Sequence, residues 1–487
     1  ARTVAALTGE RRPADLLAHL SRNNFFTTRY DLPEPAFQYH PLFHSFLRAR
    51  AERDFPAAEL DQLRRHTAAV LIEGKLFEPA LPLYAETGDW DAFEQALSRL
   101  APTLLAEGRV AALEQWLLQL PPDRLEASPW LLTWLGTVRV HKAPKEGREL
   151  FERAIGAFRE RHDARGAQLA WCNVIDSILH ESCDFLRLQG WIAAFAGLPA
   201  LAAPDPELEA RVVSSMLNAM VFAYPHHPDI EQWSARALAV LQAEVEPDVR
   251  VLAGVQLLIL RLSKGEPACA AVVVQHLREA LLTQRVTPLR EIMAYTVFAL
   301  YHWMAGESAR ATETLINALK RSDSLGLPLW DAHLHAHGAA AALTAGDPAA
   351  AEEWLERFAL LATEARPFDK SLYYHHAAWL ALQRGEVALA LEHIAACQRM
   401  QERLQFWLID ALLVHAQALA QLAAGNPAAA VPLVARLREH AARVGSPLFA
   451  LKADLLEAQI AFDEERNEEA LRHLAAGEQH RAVREQH

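Results

Sequence analysis

The feature that most constrains the fold is a repeat of about 40 residues in the second half of the chain. Each unit is an apolar helix-like run, a short polar loop and a second helix-like run. The loops begin at Gly265, Gly306, Gly346, Gly385, Gly425 and the degenerate Glu465. Five residues after each of these positions lies an alanine: Ala270, Ala311, Ala351, Ala390, Ala430 and Ala470. Seven residues before the loops stand Ala299, Ala339, Ala378, Ala418 and Ala458, with Leu258 as the exception.

This register predicts hairpins of two helices. Glycine at the loop can adopt the left-handed conformation that ends a helix, and we expect Asp347 and Asn426 to cap the helices that follow. The paired alanines let the two helices approach closely. A hairpin cannot bury its own apolar face, so successive hairpins must stack into a solenoid. We expect Pro432, inside a second helix, to kink that helix.

The pattern resembles the tetratricopeptide repeat (TPR), although its units are longer than the usual 34 residues or so. The predicted fold class is therefore all-α: a TPR-like right-handed superhelix of helical hairpins. We expect residues 51–165 to form a helical linker with irregular first hairpins, residues 166–475 to form the superhelix, and residues 476–487 to be a polar tail.

The first 50 residues do not follow the repeat. They carry a net charge of +3, whereas the whole chain carries −13. Residues 13–20 and 42–50 have helical patterns. Between them, two β-branched and aromatic runs at 25–30 and 36–40 flank a turn with two prolines, which is typical of a β-hairpin. This order predicts a small winged-helix remnant with one β-hairpin over residues 1–50.

The letters LLAHL at 16–20, NFF at 24–26 and YHPLFHSFLR at 39–48 resemble the winged-helix end of MalT-like regulators. GDW at 88–90 and LLQLP at 117–121 are similar to the family's first sensor helices. These regulators are STAND proteins, signal-transduction ATPases with numerous domains. The resemblance implies that nucleotide-binding and DNA-binding domains belong to the same longer chain. It also implies that His40 touches the nucleotide in the full-length protein; the alternative is a histidine that merely caps the second hairpin strand.

Two parts of that architecture have no counterpart in this sequence. It contains no phosphate-binding loop of the form GxxxxGK[ST], and no helix-turn-helix pattern follows residue 475. The chain begins at Ala1 rather than Met. We therefore expect it to be the middle of a longer regulator.

Composition excludes several other classes. A net charge of −13 argues against direct nucleic-acid binding by this chain, and no apolar run is long enough for a membrane span. Four scattered cysteines indicate a reduced, cytoplasmic setting. No catalytic motif is present, so we predict no enzyme activity and no cofactor. Among His333, His335 and His337, only the first and last share a helix face, and two ligands are too few to predict a metal site.

A ligand groove is expected on the concave surface, which the first helices of successive hairpins line. Its predicted binding residues are Trp303, His333, His375, Trp379 and His415. Ala336 and Ala340 would form a recess between the tryptophans, suited to a sugar, an aromatic metabolite or a hydrophobic peptide. The alternative is that the tryptophans only pack neighbouring helices together.

These observations predict the sensor and scaffold fragment of a cytoplasmic, ATP-dependent transcriptional regulator. A small-molecule inducer, a peptide or a partner protein would bind in the superhelix and bias the attached ATPase. The alternative is a free-standing TPR-like adaptor for protein–protein interaction.

Overall fold

The computed structural model describes residues 4, 12–23, 25–30, 36–140, 142–283, 286–326 and 328–486. Over these residues it contains 25 α-helices and one two-stranded sheet. The chain divides into two compact units, Ala1–Arg139 and Val140–His487. No helix in the described ranges is long and apolar enough to cross a membrane.

Unit 1 opens with the predicted helix–hairpin–helix order. Its elements are α1 (Pro13–Arg22), β1 (Thr27–Tyr30), β2 (Ala36–Tyr39), α2 (Pro41–Asp54), α3 (Ala57–Glu73), α4 (Phe77–Thr87), α5 (Trp90–Ala106), α6 (Val110–Leu117), α7 (Pro122–Ala127) and α8 (Pro129–Arg139). The strands are antiparallel, with Thr27 opposite Tyr39. The expected turn at 31–35 lies outside the described residues. Helix α2 runs four residues past the expected end at 50.

Unit 2 is built from α-helices that follow one another along the chain. They are α9 (Pro144–Glu160), α10 (Ala164–Glu181), α11 (Arg187–Ala194), α12 (Pro206–Ala223), α13 (Ile230–Gln242), α14 (Pro247–Lys264), α15 (Pro267–Thr283), α16 (Pro288–Met304), α17 (Ser308–Leu325), α18 (Asp331–Thr344), α19 (Pro348–Leu361), α20 (Pro367–Gln383), α21 (Val387–Leu404), α22 (Trp407–Ala423), α23 (Pro427–Val444), α24 (Pro447–Asp463) and α25 (Asn467–Gln486). Helices α9 and α10 already pack as a hairpin, and the expected start of the superhelix at 166 falls inside α10.

The alanine register is the core of each hairpin. The five alanines before the loops are 0–5% exposed, and so are the six after them. All five loop glycines have φ between 72° and 81°, and Glu465 takes the same left-handed conformation. The predicted helical hairpins are therefore confirmed. The exception at Leu258 is explained by Gly254 one turn earlier, because a Cβ there would lie 2.6 Å from Leu277 Cδ2.

The two predicted caps differ. Asp347 accepts a hydrogen bond from the Ala350 amide at 3.0 Å, as expected. The cap by Asn426 is wrong: its side chain makes no capping bond, and its Nδ2 lies 3.4 Å from Gln421 Oε1 on the preceding helix. Pro432 lies inside α23, which continues through it from 427 to 444. The kink stays a prediction.

Replacing Ala378 with Leu should overpack the contact between α20 and its neighbours, because Ala378 has no exposed surface. We expect the free energy of unfolding to fall by about 1–3 kcal/mol. Chemical denaturation followed by tryptophan fluorescence measures the change. The control is Ala388→Leu at an exposed position of α21. Equal midpoints for the two variants would contradict the packing register.

Candidate functional site

The predicted groove residues lie on α16, α18, α20 and α22, the first helices of four successive hairpins. The indole of Trp303 is partly buried and donates a hydrogen bond to Thr344 Oγ1 at 2.7 Å, which joins α16 to α18. Trp379 is partly buried and packs against the core cluster around α18 and α19. Both tryptophans therefore contact neighbouring helices. Ala336 and Ala340 have no exposed surface, so these two side chains do not line an open recess between the tryptophans.

His333 sits in a buried polar network. Its Nδ1 lies 2.8 Å from Asp369 Oδ1, and Asp369 also accepts from Arg366 Nε at 2.8 Å. Burial acts to raise the pKa of Asp369, but the hydrogen bonds and charges of His333 and Arg366 hold it to about 2. The Arg366 guanidinium in turn lies over the Trp330 ring, 4.7 Å from its centroid. The hydrogen bond to Asp369 of α20 therefore holds the His333 side chain of α18 in place.

The three histidines of α18 separate as the helical spacing requires. His333 and His337 share a face, with their Nε2 atoms 3.1 Å apart, whereas His335 packs on Trp354. Burial, and then the charge of His333, lower the pKa of His337 to about 3. In the described ranges, the one group with metal-ligand geometry lies elsewhere, at Asp454, Glu457 and His473. Arg438 already donates to both carboxylates of that group.

Three further histidines lie on α20 and α22. His375 and His376 are 7% and 4% exposed, and the Nδ1 atom of each lacks a hydrogen-bond partner. Burial lowers the pKa of His375 to about 4, and it lowers the pKa of His376 well below the usual value. His415 is partly exposed. The sequence had singled out His375 and His415 as groove residues, and the structure places His375 almost entirely beneath the surface.

Unit 2 also closes on itself through contacts between residues 186 to 219 positions apart. We call this the closure seam: the loop 182–185 and the end of α12 against the junction of α21 and α22. The Asp184 amide donates to Arg403 O at 2.7 Å, and the Phe185 amide to Leu404 O at 2.9 Å. The Trp407 indole donates to Val221 O at 2.8 Å. Main-chain bonds of this kind fix the two edges in one register.

Aromatic rings form the apolar side of the closure seam. Phe406 stacks on Phe222 with centroids 4.9 Å apart and meets Phe185 edge-on at 5.5 Å. Phe368 touches both Phe222 and Phe406. Such pairs are each worth about 0.5–1.5 kcal/mol beyond the area they bury. Sequence reasoning missed this cluster, because a repeat pattern shows which helices pair locally and not which turns of the solenoid meet.

A cavity of about 440 Å³ opens beside the closure seam. Its walls combine Phe222 and Trp407 with the polar side chains of Gln398, Gln417 and Asp410. Asp410 is held by Arg436 Nη2 at 2.7 Å and His440 Nε2 at 2.8 Å. Burial opposes ionisation here, yet these hydrogen bonds lower the pKa of Asp410. Aromatic walls with fixed polar groups suit a small polar ligand.

In unit 1, His40 is the N-cap of α2. Its amide donates to Phe26 O at 2.7 Å, and its Nδ1 accepts from the Leu42 amide at 3.3 Å. The side chain is exposed. His40 thus joins the second strand to the following helix and is open to a partner.

Comparisons with known proteins find similarity to MalT regulators. A family model described as the MalT winged helix domain matches residues 1–59. Over 256 residues the chain is 34% identical to the HTH-type transcriptional regulator MalT of Yersinia enterocolitica. This alignment covers 49% of the present chain and 26% of the Yersinia protein. The MalT regulator of Yersinia pestis (strain Pestoides F) is 31% identical with the same coverage. The chain thus spans about a quarter of the length of these curated relatives.

Solved structures of helical-repeat proteins align with lower similarity. The Cut9–Hcn1 structure of the APC/C has a TM-score of 0.38 at 11% identity and covers 88% of both chains. Yeast Tom70 has a TM-score of 0.34 at 10% identity and covers 88% of this chain and 97% of that one. The N-terminal segment matches the MalT winged-helix model, and the chain is similar to MalT regulators over about half of its length.

Truncation of Phe406 to Ala should open the closure seam, because it removes the ring on which Phe222 and Phe185 pack. Hydrogen–deuterium exchange should show faster exchange of the Asp184 and Phe185 amides, which donate across the seam. Phe462→Ala, at a 64% exposed position, is the control. Unchanged protection of these amides in Phe406→Ala would show that the aromatic cluster does not hold the seam.

Acidification should destabilise unit 2 through its buried histidines. A histidine whose folded pKa is lowered contributes stability that is present above its unfolded pKa of about 6.5 and is lost as the pH falls below it. The free energy of unfolding should therefore fall between pH 7.5 and pH 5.5 in both proteins. We expect the fall to be about 1.4 kcal/mol smaller in His376→Leu than in the wild type. Chemical denaturation at both pH values measures the loss, with His162→Asn at an exposed position as the control. Parallel losses in wild type and His376→Leu would contradict a neutral buried imidazole.

Proposed function

We propose that this chain is the winged-helix end and helical-repeat sensor region of a longer STAND-class transcriptional regulator. The observation that carries the proposal is the order of parts: a segment matching the MalT winged helix is followed in one chain by stacked helical hairpins. In this proposal, nucleotide hydrolysis and DNA binding belong to domains of the same longer chain.

The surface of unit 1 supports a further domain beside it. Leu42, Phe26 and Phe46 are 76%, 62% and 57% exposed, and Phe43 links the two rings by contacts of 5.4 and 6.4 Å. An exposed apolar cluster of this kind is typical of an interaction surface. The exposed His40 lies at the start of the same helix, and we propose that it contacts the nucleotide in the full-length protein.

Unit 2 is proposed to receive the signal. A ligand changes the state of a regulator only if it binds two conformations with different affinity. We propose that the closure seam has two such conformations, closed as in the structure and open. The seam adjoins both the 440 Å³ cavity and the first helices that carry Trp379 and His415. A small molecule, a peptide or a protein partner bound there would bias the seam and, through it, the attached ATPase. A coupling of a few kcal/mol would suffice.

A second candidate is a protein-interaction adaptor. Leu282 and Leu360, on the second helices of their hairpins, are 86% and 85% exposed. A cleft of about 490 Å³ among α15, α16 and α17 is lined by Leu282, Tyr295 and Phe298. These apolar surfaces favour contact with another protein, and they are compatible with either role.

The sensor role can be tested with two tryptophans from one core cluster, Trp379 on the inner helix α20 and Trp354 on the second helix α19. Each is replaced by Leu in the complete reading frame that encodes this chain. We expect Trp379→Leu to lose the transcriptional response to the cognate inducer in a reporter assay, and Trp354→Leu to keep it at a comparable thermal midpoint. A normal response in Trp379→Leu would contradict the inner face as the sensing surface. The proposal would also be contradicted if both variants lost the transcriptional response in proportion to their loss of thermal stability.

A further inference from the structure

Lys452 on α24 has no carboxylate partner within the described part of the chain. Its ammonium donates no hydrogen bond and forms no ion pair within the same described residues, and burial lowers its pKa to about 8. Other charged groups nearby are paired. Asp454 on the same helix is bound by Arg438 from α23, and Asp410 on α22 by Arg436 and His440. A partly buried ammonium without an opposite charge is costly, and proteins seldom keep one without a use for it.

Two imidazoles lie on first helices that pack in succession toward this ammonium, since α20 contacts α22 and α22 contacts α24. His375 on α20 and His415 on α22 occupy the same position of successive 40-residue repeats. After burial itself, the charge of Lys452 is the next influence that lowers the pKa of each. No carboxylate acts on any of the three groups. On α24 itself, Glu457 is engaged by Arg438 of α23 and by His473 of α25. At this spot only Lys452 carries a charge, beside two neutral imidazoles, in a chain of net charge −13.

The spot has unused hydrogen-bonding capacity and is reachable. His375 is 7% exposed, and its Nδ1 has no partner. Lys452 and His415 are partly exposed, as is Trp379 one turn along α20 from His375. An anion at this place would compensate the ammonium and could accept hydrogen bonds from both imidazoles once they are protonated.

We propose that Lys452, His415 and His375 form an anion-binding site on the inner face of unit 2, which holds the carboxylate or phosphate group of the signalling ligand. This inference rests on the proposed sensor function and narrows its ligand class from any small molecule to an acidic one. Binding takes up protons, because the bound anion favours the charged form of all three groups.

The test uses two probes on the whole chain: sulfate, a tetrahedral oxyanion whose charge is constant from pH 6.5 to 8.5, and succinate, a dicarboxylate. Thermal midpoints and titration calorimetry are recorded at matched ionic strength in the wild type, Lys452→Met and the control Lys320→Met, an exposed lysine of α17. We expect a saturable midpoint increase in the wild type and Lys320→Met. We expect it to be absent in Lys452→Met, which should itself unfold no earlier than the wild type without a probe. A midpoint increase with sulfate would indicate a phosphate-like ligand group, and an increase with succinate would indicate a carboxylate-like one.

The pH dependence adds a second readout. Affinity should be about three- to tenfold weaker at pH 8.5 than at 6.5, and His415→Gln should reduce this difference. Equal midpoint shifts in the wild type and Lys452→Met for both probes would overturn the site. If that occurs while Trp379→Leu still abolishes the regulator's response, the sensor proposal stands and its ligand is not acidic. If the anion binds but the response needs neither Trp379 nor Lys452, the site stands and the sensor proposal fails.

Discussion

The close approach of the two helices in each hairpin is the interaction on which the rest of unit 2 depends. Alanines from both helices are buried in the same core clusters, where their small side chains leave room for the backbones to approach. Where the register breaks at Leu258, Gly254 supplies the missing space. Because every unit repeats this geometry, the first helices present the same face in each hairpin. That repetition places His375 and His415 at the same position of adjacent first helices, and Lys452 lies about one turn earlier on the next first helix.

The first helices carry two different arrangements of charged groups. Toward α18, the buried Asp369 is paired with His333 and Arg366, so its charge is compensated. Toward α24, Lys452 has two imidazoles beside it and no carboxylate. The first arrangement holds the structure together, since removing either partner would leave a buried charge alone. The second arrangement lowers stability unless something else supplies the opposite charge.

Much of the fold could be predicted from the sequence, because its determinants are local. Glycine at the loop and alanines at fixed distances from it specify a hairpin without reference to the rest of the chain. The cap by Asn426 was wrong because Asn can bond to the preceding helix, where Gln421 competes for it. The closure seam could not be predicted, since Phe185 and Phe406 meet across more than 200 residues. Nor does periodicity show that Ala336 and Ala340 are covered.

The central claim is that unit 2 closes through the seam and that its ligand acts on this closure. A distance between spin labels across the seam tests it most directly. Gly190, where an added Cβ meets no atom within 4 Å, and the exposed Glu402 are replaced by Cys, with Cys183 and Cys269 changed to Ser. Pulsed electron paramagnetic resonance on the free chain should give one short, narrow distance distribution, which changes when ligand is added. A broad, long distribution in the free chain, or one that ligand leaves unaltered, would contradict the account.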